Sequence, residues 1–476
     1  MRSAIITIVI IAVFLEVSGL IWSAKNGEPG EAYHRLAQPP DRLIDDPRTN
    51  GYFMVVGFAV AAASDPVQAG LDIWREADTD GGLRLFDYRK PGRTELRITL
   101  DADEAFPAWI SPSPLAEFRK RDALLRLSME RYSILLGRYE RFLGMPFEDW
   151  GFAHRDVPRL DEFLIIHRLY VAAGYAQSSQ LGSTRLQHEL QVWRRVLADA
   201  RTLAIKTAAL LILEDDLAFL AKAPAGDSMN RTTALLSVIQ PLTKEDYSLR
   251  WPIRNEFVLG TSQGRATGLD SMMGADETVR NEEWLARKAR LAPDAFRLVQ
   301  HPRLATMFEA KVDSSRMWDT YALYYDLAIM ASETVHSPLP RLRDVARSSP
   351  RTLVETLLSP MEFEPEWDQF SLRLMETDAR LRLVSLQFLL RRAGTSTTGP
   401  NRLAEAGPPY YDPFTGLPML WSDRQVVYSV GRDRIDDGGD PPFDLAVPIA
   451  SDASKPSASE PVRNGSATGI QRKRKT

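Results

Sequence analysis

Apolar residues return every three or four positions along most of this chain, the pattern of helices that bury one face. Over 114–143 the stripe runs through Leu115, Phe118, Leu125, Leu135, Tyr139 and Phe142 and predicts a helical segment. The same spacing predicts helices over 160–176 and 186–221, the latter long enough for two helices or one bent one. Shorter helices are expected at 229–239 and 281–292, and a Tyr- and Met-rich one at 315–333. The clearest runs over 367–392, where neither Pro nor Gly interrupts and Gly394 supplies the stop. Residues 52–77 read as helical, with Asp65-Pro66 opening a second helix. Period-two alternation flanking Lys90-Pro91-Gly92-Arg93 predicts a β-hairpin over 83–100. No repeat of about 30–45 residues is found. The expected fold class is mainly α, an irregular helical bundle with that small β-hairpin near the N-terminus and a short C-terminal β/loop element.

One stretch breaks this periodicity. From Ala4 to Leu15 only Thr7 is polar, and after Glu16 the apolar character resumes to Trp22. Residues 4–22 would span about 28 Å as a helix, enough for the hydrocarbon core of a bilayer. Glu16 falls in the outer third and Trp22 where an interfacial aromatic belongs. Three readings stay open: an uncleaved single-pass anchor, a signal peptide cleaved after export, or an ordinary buried helix. The first two place the remainder of the chain outside the cytoplasm, in a bacterial inner-membrane setting with the body in the periplasm, or secreted there. The run at 52–63 is too short to span and contains Gly57, so it reads as a buried element. The expected organisation is a membrane anchor or signal at 1–24 and a Pro-punctuated linker at 25–50. Beyond them lie a helical extracytoplasmic domain at 51–394, a β/loop segment at 395–449 and a disordered Ser/Ala/Pro-rich tail at 450–476.

Composition narrows the chemistry. The 476 residues carry a net charge of −4, too small a field to draw nucleic acid to the body. Arg outnumbers Lys 48 to 11, scattered among acidic residues in a way that fits a coding bias better than a binding function. With no Cys there are no disulfides, thiolate metal sites or Cys nucleophiles. The six His never pair at helical spacing, and no H-E-x-x-H or G-x-S-x-G occurs. The glycine-rich stretch 260–268 lacks a P-loop lysine and reads as a flexible loop. Trp318, Tyr321, Tyr324 and Tyr325 line one helical stripe that suits core packing, with a peptide- or glycan-binding groove as the alternative.

Near the C-terminus, 419–422 and 425–430 read as short strands joined by Ser422-Asp423-Arg424. Five aspartates come next within twelve residues, Asp433, Asp436, Asp437, Asp440 and Asp444, interleaved with Gly438-Gly439. Such a segment reads either as an acidic surface loop closing a hairpin or as an oxygen-rich, curling backbone that suits calcium, although the order of an EF-hand loop is missing. Tyr428-Ser429-Val430-Gly431, then Asp433, Gly438-Gly439 and Asp444-Leu445, resemble the C-terminal loop of the major pseudopilins of type II secretion systems. The likeness covers about 35 residues, with Arg434 where that family has Gly and one extra residue before Gly438. It implies a structural calcium held by the side chains of Asp433, Asp437 and Asp444 and the carbonyl of Val430, with Asp436 and Asp440 as further ligands.

The function these features predict is a non-enzymatic scaffold or accessory of an envelope assembly. It would be anchored in lipid through residues 4–22, with a protein partner in that assembly and no nucleic acid. The alternative is a periplasmic hydrolase acting on cell wall or glycan through carboxylates of the Glu214-Asp215-Asp216 run.

Overall fold

The computed structural model of the chain describes residues 31–79, 96–98, 111, 113–154, 158, 160–223, 229–259, 322, 325–326, 328–330, 367–393, 400–441 and 443–449. It is mainly helical. Helices α1 (Glu31–Ala37), α2 (Gly51–Val56) and α3 (Pro66–Thr79) come first. The stripe over 114–143 then divides into α4 (Pro114–Lys120), α5 (Asp122–Arg131) and α6 (Ser133–Leu143), because the backbone leaves helical geometry at Arg121 and Tyr132. Helix α7 (Asp161–Gln177) leads into α8 (Ser179–Asp199) and α9 (Leu203–Lys222). Two helices rather than a bent one occupy 186–221: Ala200 is extended, and the Thr202 hydroxyl accepts from the Ile205 amide to start α9 anew. Further helices among the described residues are α10 (Met229–Val238), α11 (Lys244–Tyr247), a helix α12 over 250–259, α13 (Trp367–Ala393) and α14 (Pro400–Glu405), and residues 322, 325–326 and 328–330 are also helical.

Helix α9 is apolar on nearly every side, and its environment matches: it packs among α7, α8, α13 and the C-terminal sheet, buried from Ile205 to Leu220. Strands β1 (Leu420–Ser422), β2 (Val426–Ser429) and β3 (Leu445–Pro448) form one antiparallel sheet in that order. Leu420 pairs with Tyr428, and Ser429 with Leu445. Two of these strands were legible as strands. The third, just before the tail, was not.

Arginine organises the joints. Arg138 on α6 donates to the carbonyls of Phe58, Val60, Ala61 and Ser64, gathering the turn between α2 and α3. Arg194 on α8 serves Val238, Gln240 and Pro241 at the end of α10, and pairs with Asp246 at 2.8 Å. Arg254 on α12 holds the carbonyls of Arg35, Leu36 and Gln38 at the end of α1. The last carbonyls of a helix and those of a tight turn have no partner of their own, and a planar five-donor guanidinium meets several at once. The Arg excess that reads as coding bias is thus used structurally.

The polar stretch expected to be a linker belongs to the body from Glu31 onward. Tyr33 and Leu36 are buried, and the amides of Leu43 and Ile44 donate to Glu148 at 2.9 and 2.8 Å. Glu148 also pairs with Arg201 at 2.8 Å, while the neighbouring Asp149 accepts from the amides of Gly151, Arg201 and Thr202. Gly57, which interrupts the apolar run at 52–63, lies where α2 and α3 touch. A Cβ there would stand 2.0 Å from the Pro66 carbonyl, and one on Gly70 2.0 Å from that of Phe53.

The hairpin expected at 83–100 lies almost wholly outside the described residues. Within it, 96–98 have no regular structure, and the Leu96 amide donates to the Ala59 carbonyl. The helix at 281–292, the loop at 260–268, the tail at 450–476 and the apolar run at 4–22 also lie outside. Among the described residues no helix is long and apolar enough to cross a membrane. Tyr325 of the aromatic stripe is core, packed edge-on against Phe257.

Lys206 marks the strain in this packing. It is fully buried on α9, and its ammonium donates to the Leu197 carbonyl at 2.9 Å, at the negative end of α8. Burial pushes its pKa from 10.5 down to about 7, against the opposing pull of Asp246 and Asp199. Between those two values the unfolded chain binds more protons than the folded one, so this residue makes stability rise with pH, and below pH 7 its full cost is present. Urea unfolding at about pH 7 and about pH 9.5 should show the wild type gaining on the order of 2–3 kcal/mol relative to Lys206→Met. Equal gains in both proteins would refute a buried, neutral-prone Lys206.

Candidate functional site

Each of three consecutive helices presents a charged or titratable residue where its apolar face requires a hydrophobe. On α7 it is His167, between Ile166 and Tyr170; on α8 it is Glu189, beside Leu186, Leu190 and Trp193; on α9 it is Asp216, beside Leu213 and Leu217. None of the three reaches solvent, and one ligand atom from each lies within 4.8 Å of the other two. Among the described residues this is the one set of three or more histidines or carboxylates so converged.

His167 is fixed from both sides. Its Nε2 meets Asp215 Oδ2 at 3.2 Å, and its Nδ1 faces Glu189 Oε1 at 3.5 Å and Asp216 Oδ1 at 3.9 Å. Tyr139 on α6 donates its hydroxyl to Glu189 Oε1 and in turn accepts from the Trp193 indole at 2.8 Å. Glu189 Oε2 and both oxygens of Asp216 are buried and accept no hydrogen bond.

The electrostatics follow from burial. Asp216 is pushed well above the usual carboxylate range by burial first, then by the charges of Glu189 and Asp215. Burial alone would lower the imidazole of His167, but hydrogen bonds to Asp215 and Glu189 outweigh it and raise it. Asp215 is also penalised by burial, yet its bonds to His167 and Arg168 bring it down to about 2. Tyr139 is raised well above its ordinary value by burial and by Glu189, so it remains a donor.

The carboxylates proposed for hydrolysis are differently placed. Glu214 takes a two-pronged bond from Arg373 on α13, at 3.0 and 2.7 Å, and accepts from the Thr377 hydroxyl at 3.0 Å. Asp215 is held by Arg168 at 2.6 Å. Both face arginines, the outcome that counts against a hydrolytic pair.

The C-terminal aspartates occupy the loop between β2 and β3, and each has its own role. Asp444 is buried; its Oδ2 accepts from the amides of Asp437 and Gly439 at 3.1 and 2.7 Å, while its Oδ1 accepts none. Burial, and then the charges of Asp437 and Asp436, raise it. Asp436 accepts from the Tyr428 hydroxyl and the Gly438 amide, Asp440 pairs with Arg424 at 3.1 Å, and Asp433 accepts from the Ile435 amide. Val430 is buried, and its amide donates to Asp412. Asp433, Asp437 and Asp444 thus share a loop, but only Asp444 offers a buried oxygen without a donor. Left-handed backbone at Gly431, Arg434, Gly438 and Gly439 curls the segment.

Searching for His pairs along single helices misses the buried centre, because its members come from three different helices. The available signal was polar residues at stripe positions: Glu189 and Asp216 stand where α8 and α9 need leucines. No protein-family model, no curated protein and no solved structure matches this chain.

If Glu214 and Arg373 serve packing, a double-mutant cycle of Glu214→Gln and Arg373→Met should give a coupling of about 1–2 kcal/mol in urea unfolding. A coupling indistinguishable from zero would leave Glu214 available for another role.

Proposed function

We propose that the chain is a membrane-tethered, extracytoplasmic protein that serves an envelope assembly as a non-enzymatic scaffold, with lipid contact through residues 4–22 and a loop braced by calcium. The observation that carries the scaffold reading is the use made of the bundle's charges. Glu214 and Asp215 join α9 to α13 and α7, and Arg138, Arg194 and Arg254 close the joints between helices. Arg373 and Arg168 hold Glu214 and Asp215, which weighs against the hydrolase alternative, while Asp216 of the same run takes no such pair.

The tether rests on the apolar run and on chain length. Because Glu31 already belongs to the body, at most residues 23–30 separate the body from the end of the run at Trp22. Eight residues reach at most about 28 Å when fully extended. A body tied this closely acts beside the bilayer, not at the end of a long stalk.

Calcium belongs to the same reading. What supports it is Asp444 Oδ1, buried without a donor inside a loop that also holds Asp433, Asp436, Asp437, Asp440 and the Val430 carbonyl. A hard cation that gathers six to eight oxygens would satisfy that atom and offset the repulsion among Asp436, Asp437 and Asp444.

A reporter enzyme active only outside the cytoplasm, fused after Gly30, is expected to be active; a silent, well-expressed fusion would overturn the export and tether claims. Calcium at about 100-fold above its dissociation constant should add about 2.7 kcal/mol to stability, raising Tm relative to chelator. The Asp437→Ala/Asp444→Ala variant should lose that rise. An unchanged wild-type Tm would retire the calcium while leaving the tether standing.

A further inference from the structure

The geometry points to a second and different metal site: a divalent first-row transition cation such as Zn²⁺, Mn²⁺ or Fe²⁺, held in the bundle core by His167 Nδ1, Glu189 and Asp216. It depends on neither the tether nor the loop.

Three observations carry it. The first is convergence: one nitrogen and two carboxylates from α7, α8 and α9 lie mutually within 4.8 Å. Ligand atoms at about 2.0–2.2 Å from a tetrahedral metal stand about 3.3–3.6 Å apart. His167 Nδ1 is 3.5 Å from Glu189 Oε1 and 3.9 Å from Asp216 Oδ1, near that spacing, and closing the sphere requires the two carboxylates, which lie within 4.8 Å, to draw together around the cation.

The second is a set of three unmet acceptor oxygens. Both oxygens of Asp216, and Glu189 Oε2, are wholly buried and accept no hydrogen bond. Buried carboxylate oxygens are costly unless a donor or a cation meets them. Two free oxygens on Asp216 allow it to bind through one or both, and a solvent molecule could complete the sphere.

The third is the surrounding support. In the metal-bound form Asp215, which faces His167 Nε2 at 3.2 Å, would keep the ring proton on that side and leave the Nδ1 lone pair for the cation. Tyr139, itself held by Trp193, orients Glu189. A carboxylate behind a ligating histidine is the arrangement that fixes tautomer and raises ligand basicity at metal centres.

Charge agrees for the metal-bound form: with Glu189, Asp215 and Asp216 ionised, the imidazole neutral and Arg168 paired to Asp215, the centre would carry −2, which a dication balances. Calcium fits poorly here, since it wants six to eight oxygens and the site offers a nitrogen and few oxygens.

The test uses detergent-purified full-length chain, stripped with chelator and titrated with Co²⁺, which reports nitrogen–oxygen coordination by its visible ligand-field absorption. One cobalt per chain is expected, displaced by Zn²⁺. Asp216→Asn and His167→Gln should each weaken cobalt binding at least tenfold, with far-UV circular dichroism confirming the fold. Asp444→Ala should leave the absorption unchanged, which separates this site from the loop. If Asp216→Asn does not fold, Tyr139→Phe removes only the hydroxyl that positions Glu189 and should weaken cobalt about tenfold. No ligand-field band in the wild type, a band unaltered in folded Asp216→Asn, or unaltered affinity in Tyr139→Phe would overturn the site. The cluster would then be an imidazolium buried between carboxylates.

Discussion

A helix that is apolar on almost every side can carry a charge only where a neighbour meets that charge, and α9 carries four such residues into the centre of the bundle. Lys206 reaches the free carbonyl end of α8, Glu214 the guanidinium of Arg373 on α13, and Asp215 the side chains of His167 and Arg168 on α7. Asp216 meets His167 and Glu189. Between them these contacts fix α7, α8 and α13 around α9. The charges therefore set which helices surround α9 and at what rotation, because turning α9 by one residue would strand several of them in an apolar interior at a cost of several kcal/mol each. Hydrophobic burial stabilises the bundle, but it is nearly indifferent to such a rotation in a helix this uniformly apolar.

The same logic governs the chain between helices. Short helices and sharp turns end in carbonyls that have no partner, and this protein has many: the ends of α1 and α10, and the turn between α2 and α3. Arg254, Arg194 and Arg138 each collect several of these carbonyls from a separate helix. Replacing a turn's water with a buried guanidinium removes solvent from the joint while keeping every carbonyl paired. A protein with few strands and no disulfides can be held together by this means, and it requires Arg in place of Lys, whose single ammonium cannot span the set.

Helices with long uninterrupted stripes were readable from spacing alone, as at 160–176 and 367–392, because period and burial agree there. The breaks at Arg121 and Tyr132 were not, since the stripe continues through both and only the local backbone changes. The packed state of 31–50 was hidden for another reason. Its stability comes from distant partners, Glu148, Arg201 and Arg254, that no local pattern reveals. The buried centre was half visible: the Glu214-Asp215-Asp216 run stood out, but its three members diverge, one to α13, one to α7 and one inward. Only the three-dimensional rotation of α9 separates them, and that rotation is what places Asp216 against His167 and Glu189.

The bundle and the C-terminal sheet share one hydrophobic core, and polar bridges from α13 reinforce the joint. Gln387 on α13 donates to the Ala221 carbonyl at the end of α9 and to the Pro448 carbonyl at the end of β3. Arg391 adds the Ile449 carbonyl, and Arg382, paired to the buried Asp378, reaches the Tyr411 carbonyl. Asp378 in turn accepts from the Leu242 amide and the Tyr247 hydroxyl, so the same residue fixes the approach to α11. Order in the β2–β3 loop is thereby passed to α13 and, through α13, to the helix that carries Asp216.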